Sequence, residues 1–106
     1  MSIDAALSAL AEPHRRKAIE LLSQRSRPAG ELARDLGLSA PAMSRHLRAL
    51  RQSGLVEETS PAFDARVKVY ALKKEGMNEL RVWLDEAERM WAVQLAAFRH
   101  HIETAP

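Results

Sequence analysis

The chain has 106 residues, of which 46% are apolar and 28% charged, a balance that reads as globular and not disordered. One domain of this size buries a single modest core, small enough that dimerisation would help stabilise it. It has no cysteine, which excludes disulfides, thiolate metal sites and cysteine nucleophiles.

No segment approaches the roughly 20 apolar residues of a membrane span, and the opening MSIDAALSALAEP lacks a basic n-region and a continuous apolar run. Cytoplasmic residence is the default expectation. The net charge of +2 is too small to argue for a partner, but its distribution is informative. Residues 38–54 hold Arg45, Arg48, Arg51 and His46 without an acid, whereas residues 75–88 hold Glu75, Glu79, Asp85, Glu86 and Glu88 against Arg81 alone. One face is prepared for an anion and another for different work.

Residues 2–10 carry Ile3, Ala6, Leu7 and Leu10 at helical spacing, with Asp4 suited to the first turn. Ala11-Glu12-Pro13 breaks that pattern, and Pro13 starts a second helix over residues 13–24, with Ala18, Leu21 and Leu22 inward and Ile19 beside them. His14, Arg15, Arg16 and Lys17 make its first turns basic. Positive charge at a helix N-terminus opposes the macrodipole, so contact with phosphate is a better explanation than local helix stability; the alternative is a solvated charge run.

Ser26-Arg27-Pro28 reads as a turn, and residues 29–36 form a short third helix with Leu32, Ala33 and Leu36 apolar, closed by Gly37. The stretch LSAPAMSRHLRALRQSG organises the rest. Ser39 caps a helix and Pro41 sits in its first turn, where a missing N–H costs nothing. Met43, Leu47 and Leu50 then form a narrow inward stripe, and Gly54 supplies the left-handed residue after the last turn. The opposite face gathers Pro41, Arg45, Arg48 and Gln52, flanked by Ser44, Ala42 and Ala49. Two short helices joined at a glycine, the second with a basic outer face, make a helix-turn-helix whose second helix is the candidate reader.

Residues 55–59 and 66–72 read as strands, and the turn formers of residues 60–65 join them into a hairpin with Phe63 in its loop. Arg66 and Lys68 fall on one side of the second strand, as a wing along a DNA backbone requires. Residues 75–103 carry the longest pattern. Met77, Leu80, Leu84, Ala87, Trp91, Gln94, Phe98 and His101 make one stripe, with Trp83, Met90, Val93 and Ala97 beside it. Two stripes on one long helix need a second partner, so residues 75–103 are expected to dimerise together with residues 2–10. Leu7, Leu10, Trp83, Leu84, Ala87, Trp91 and Phe98 are the expected interface side chains.

The segments LAEPHRRKAIELL, GELARDLGLSAPAMSRHLRALRQSGLVE and RVKVYALKKEGMNEL resemble the winged-helix repressors of the ArsR/SmtB family, across most of the chain. That resemblance implies a mainly α fold with a small β-hairpin, in the order α-α-α-α-β-β-α, and a dimeric transcriptional regulator binding double-stranded DNA. The family's metal sites transfer poorly. Where a cysteine pair stands in the third helix, this chain has Leu32, Ala33 and Arg34; Asp85 is followed two residues on by Ala87 instead of a histidine, leaving only His100, His101 and Glu103 near the end. No metal or cofactor is therefore expected, and no inducer is identified.

The reading is of one winged-helix domain over residues 1–106, whose paired reader helices enter successive major grooves of a near-palindromic operator. Arg45 and Arg48 are candidates for base edges, Ser39, Ala40, Pro41 and Ser44 line the groove, and Arg15, Arg16, Arg66 and Lys68 hold phosphates. His46 lies about 60° from the apolar stripe and is either bonded within the domain or in contact with DNA. The competing reading is a protein-interaction module that uses the winged helix as scaffold and the aromatic long helix as docking face. An enzyme is not expected, because His14, His46 and the pair His100 and His101 lie in separate elements and nothing supplies an activated nucleophile.

Overall fold

The computed structural model describes residues 2–60 and 66–104. The chain runs α1 (Ile3–Leu10), α2 (Pro13–Gln24), β1 (Arg27–Pro28), α3 (Ala29–Leu36), α4 (Ala40–Gln52), β2 (Val56–Thr59), β3 (Val69–Leu72) and α5 (Lys74–Thr104). Side-chain oxygens cap the starts of α1, α2 and α4. The Ser2 hydroxyl accepts from Ala5 N–H at 3.3 Å, the Glu12 carboxylate from Arg15 N–H at 3.1 Å, and the Ser39 hydroxyl from Ala42 N–H at 3.3 Å.

Glycines end two of them in the same way. Gly37 and Gly54 have φ of 67° and 85°, so Leu38 N–H reaches Ala33 C=O at 2.9 Å and Leu55 N–H reaches Leu50 C=O at 3.2 Å. These bonds satisfy carbonyls that the helix leaves open, and a Cβ at either glycine would be strained. Gly37 thereby turns the chain sharply from α3 into α4.

The core gathers one face from each element. Leu32, Met43, Leu47, Leu50 and Leu55 are fully buried, joined by Ala6, Ala9, Ala18, Leu22, Val56, Tyr70 and Leu80. The expected inward stripe of the fourth helix, Met43, Leu47 and Leu50, is its buried face.

The sheet has three strands in the order β1-β3-β2, all antiparallel, which enlarges the expected hairpin. Ser26-Arg27-Pro28 is therefore not simply a turn: Arg27 and Pro28 pair with Tyr70 and Val69. Proline lacks the N–H of a central strand but is tolerated at this edge. Arg27 makes the position worth building. Its guanidinium is buried, donating to Leu21 C=O at 3.1 Å, to Gln24 Oε1 at 2.7 Å and to the carboxylates of Glu31 and Asp35 at 3.3 and 3.4 Å.

Pairing of β2 with β3 ends at Thr59 and Val69, so Arg66 and Lys68 precede the strand in which they were expected. The expected loop residue Phe63 lies outside the described residues. Near the tip, Glu58 binds the wing to the fourth helix: it accepts from Tyr70 Oη at 3.0 Å and Arg51 Nη1 at 2.8 Å, with Lys68 Nζ at 3.5 Å.

A 31-residue α5 is about 46 Å long at 1.5 Å per residue. Its first turns put Gly76, Met77 and Leu80 into or against the core, and α1 packs on it within the same chain. Beyond Ala87 every described residue of the helix is exposed, and this stretch leaves the domain. The radius of gyration is accordingly 18.5 Å, where a compact chain of this length has about 13 Å. Among the described residues no helix is long and apolar enough to cross a membrane.

Partial burial raises the Glu58 carboxyl, but the Tyr70 hydroxyl and the charges of Arg51 and Lys68 outweigh it and hold the group below its ordinary value of 4.5. A carboxyl depressed in the folded state stabilises above its unfolded value, and that stability is lost as pH falls through the folded one. Glu58→Gln should lower the thermal midpoint at pH 7 and unfold with a shallower dependence on pH below 4.5 than the parent. Parallel melting curves for the two proteins across that range check this.

Candidate nucleic-acid interface

Because Met43, Leu47 and Leu50 bury one side of α4, its other side must face solvent. Ser39, Ala40, Pro41, Ser44, Arg45 and Arg48 are all exposed there. Among the described residues the side chain of neither Arg45 nor Arg48 takes part in a hydrogen bond or ion pair. Small residues at the start of the helix let it approach a groove closely, and each guanidinium keeps its forked donors for an external acceptor. Arg51 differs: although no acid is near it in sequence, Glu58 of the wing pairs with it.

The basic start of α2 has partners inside the fold. Arg16 Nη1 donates to Leu10 C=O at 2.7 Å and Ala11 C=O at 3.1 Å, closing the end of α1 where a cation suits the helix dipole. Arg15 Nε donates to His46 Nδ1 at 3.2 Å. Hence the two arginines are not merely a solvated run, and the charge at this helix start has structural work whether or not phosphate is present. Arg66 and Lys68 are exposed beside the wing, Lys68 near Glu58.

The long separation in sequence between Glu12, His14 and His46 disappears in the fold. His14 Nδ1 lies 3.0 Å from Glu12 Oε1, His46 Nδ1 lies 3.7 Å from Glu12 Oε2, and the two rings stack with centroids 5.6 Å apart. Partial burial pushes the Glu12 carboxyl up, yet the His14 hydrogen bond, the Arg15 N–H and the nearby imidazoles together hold it below its ordinary value. His46 is thus bonded within the domain, one of the two roles expected for it, and its half-buried ring fixes α4 to the start of α2.

Sequence reasoning missed this convergence, since it treated the histidines as separate elements. The available signal was the position of His46 at the edge of the apolar stripe, facing whatever packs beside the reader helix. It also missed Leu95 and Ile102, which with Leu84, Trp91 and Phe98 form a stripe on α5 in steps of seven, four, three and four, all exposed. Of the expected interface side chains, Leu7 is exposed, Leu10 packs partly on the core of its own chain, and Trp83 and Ala87 are half-buried.

Comparison with known proteins agrees with this geometry. The sequence profile described as bacterial regulatory protein, arsR family, matches residues 12–58, from the Glu12 cap to the wing contact at Glu58. The chain is 40% identical over 103 residues to the HTH-type transcriptional regulator Rv2034 of Mycobacterium tuberculosis, covering 97% of this chain and 91% of that protein. It is 38% identical over 77 residues to the HTH-type transcriptional regulator YgaV of Escherichia coli, covering 72% and 75% of the two. A crystal structure of an ArsR family transcriptional regulator superposes with a TM-score of 0.71 at 28% identity, covering 84% of this chain and 94% of that one. The family's proteins are transcriptional regulators and not enzymes. With its helix-turn-helix, its wing and this extent of similarity, the chain belongs to the ArsR family of DNA-binding transcriptional regulators.

Proposed function

We propose that the protein is a homodimeric repressor of a near-palindromic operator, working in the cytoplasm where that DNA lies. The observation that supports it most is the outer side of α4: two arginine side chains without a partner among the described residues, small residues around them, and an opposite side held in the core. In this reading Arg45 and Arg48 donate to base edges, with guanine O6 and N7 as the natural bidentate acceptors. Ser39, Ala40, Pro41 and Ser44 line the groove. Arg66 and Lys68 hold phosphates from the wing; Arg15 and Arg16, at the start of α2, add positive potential. His46 holds the reader helix in position and makes no base contact.

The whole chain is taken as one domain, with residues 2–10 and 75–103 forming the dimer. The part of α5 beyond the core leaves Met90, Trp91, Val93, Leu95, Phe98 and Ile102 between 58% and 70% exposed, far more apolar surface than one helix keeps in water. A second copy related by a two-fold axis would cover these stripes and set two α4 helices about 34 Å apart, one turn of duplex. DNA binding and dimerisation are then one design, because a single short helix reads too few bases to select a site.

Selection of bound sequences from random duplexes by the purified protein tests this function. Two related half-sites about one turn apart are expected; enrichment of no sequence, or of a lone half-site, contradicts it. On the selected duplex, Arg48→Ala should cost ~1–3 kcal/mol and relax preference at one base, whereas Arg66→Ala should weaken all sequences alike and reduce the salt slope by about one. Titrations at several salt concentrations separate these effects. For the dimer, the Trp91→Asp, Phe98→Asp double variant should sediment as a monomer with its helicity kept; a parent that is already monomeric would contradict the assignment.

A further inference from the structure

We propose that Glu12, His14 and His46 form a binding site for a borderline divalent transition metal, with Zn2+ as the representative ion. One ligand atom from each lies within 4.8 Å of the other two. Imidazole nitrogens with one carboxylate oxygen are the donor set of open, three-ligand zinc sites, in which water takes the fourth place. Bonds of about 2.0–2.1 Å in a tetrahedron put donors about 3.4 Å apart. The carboxylate oxygens are already 3.0 Å from His14 Nδ1 and 3.7 Å from His46 Nδ1, on either side of that separation.

The surroundings hold the donors in place. Pro13 stands between Glu12 and His14 and fixes the backbone that presents them. The Arg15 N–H bonds Glu12 Oε2 at 3.1 Å and orients the carboxylate, as outer-shell donors do at metal sites. The rings of His14 and His46 lie 26° from parallel, one stacked on the other. Side-chain exposures of 32%, 41% and 19% for Glu12, His14 and His46 leave a way in for an ion and its water.

Binding has a defined internal cost. A metal on His46 Nδ1 takes the lone pair that now accepts from Arg15 Nε, so the Arg15 guanidinium must swing away as the ion enters. His14 Nδ1, which now donates to Glu12 Oε1 at 3.0 Å, must give up that hydrogen bond and leave the ring proton on Nε2 before it can offer a lone pair to the metal. The ion then joins the first turn of α2 directly to the middle of the reader helix. This site shares no residue with the positions at which the family resemblance places metal, and it does not depend on the reading of the DNA contacts.

Titration of the purified, metal-free protein with Zn2+ against a chromogenic chelator tests the site, with thermal unfolding as a second readout. One Zn2+ per chain is expected, together with a rise in the unfolding midpoint, because an ion bound only by the folded state stabilises it. His14→Ala removes an exposed ligand; it should fold, lower Zn2+ affinity roughly tenfold or more, and abolish the zinc-dependent rise. His46→Gln should do the same, whereas the His100→Ala, His101→Ala double variant should bind like the parent. No zinc binding by the parent, or binding that survives His14→Ala and disappears in the His100, His101 variant, overturns the proposal.

Discussion

Burial of Met43, Leu47 and Leu50 with Leu32 and Leu55 is the interaction on which the rest of the structure depends. It fixes the rotation of α4 about its axis, and rotation decides which side chains meet an external surface. A turn of one residue, about 100°, would carry the arginines toward the core and expose the leucines. Gly37 and Ser39 set where the helix begins, and Gly54 sets where it ends, so the same few positions govern its length and its orientation. The basic face is thus a consequence of the core and not a separate feature added to it.

The arginines of the chain fall into two groups that charge counting alone does not separate. Arg16, Arg27 and Arg51 are engaged with carbonyls or carboxylates of their own chain, whereas Arg45 and Arg48 have no partner among the described residues. Only the second group keeps its full donor capacity for another molecule. A partnered arginine still contributes to the field that draws a polyanion inward, although it must give up a bond to reach one.

What could be read from the sequence was mostly local. The Ser39 cap, the Pro41 first turn, the glycine stops and the apolar spacing of Met43, Leu47 and Leu50 each involve residues within a turn or two of one another. The family resemblance and the helix-turn-helix order rest on those same signals. Features that join distant parts were hidden: β1 exists because Val69 and Tyr70 come beside Arg27 and Pro28, and Arg15 meets His46 across 31 residues. Arg66 and Lys68 were placed on a strand by composition, yet the ladder ends at Val69 because Thr59 is its last partner on β2. On α5, the spacing of Trp91 and Phe98 was visible, but only the geometry shows that the helix leaves its own core after Ala87.

The most direct test of the claim that α4 is the reading surface is to follow backbone amide resonances as a selected duplex is titrated into isotope-labelled protein. The largest changes should fall on residues 39–48, with smaller ones around Arg66 and Lys68. Tight binding that leaves residues 39–48 unshifted while moving the amides of α5 would contradict the account.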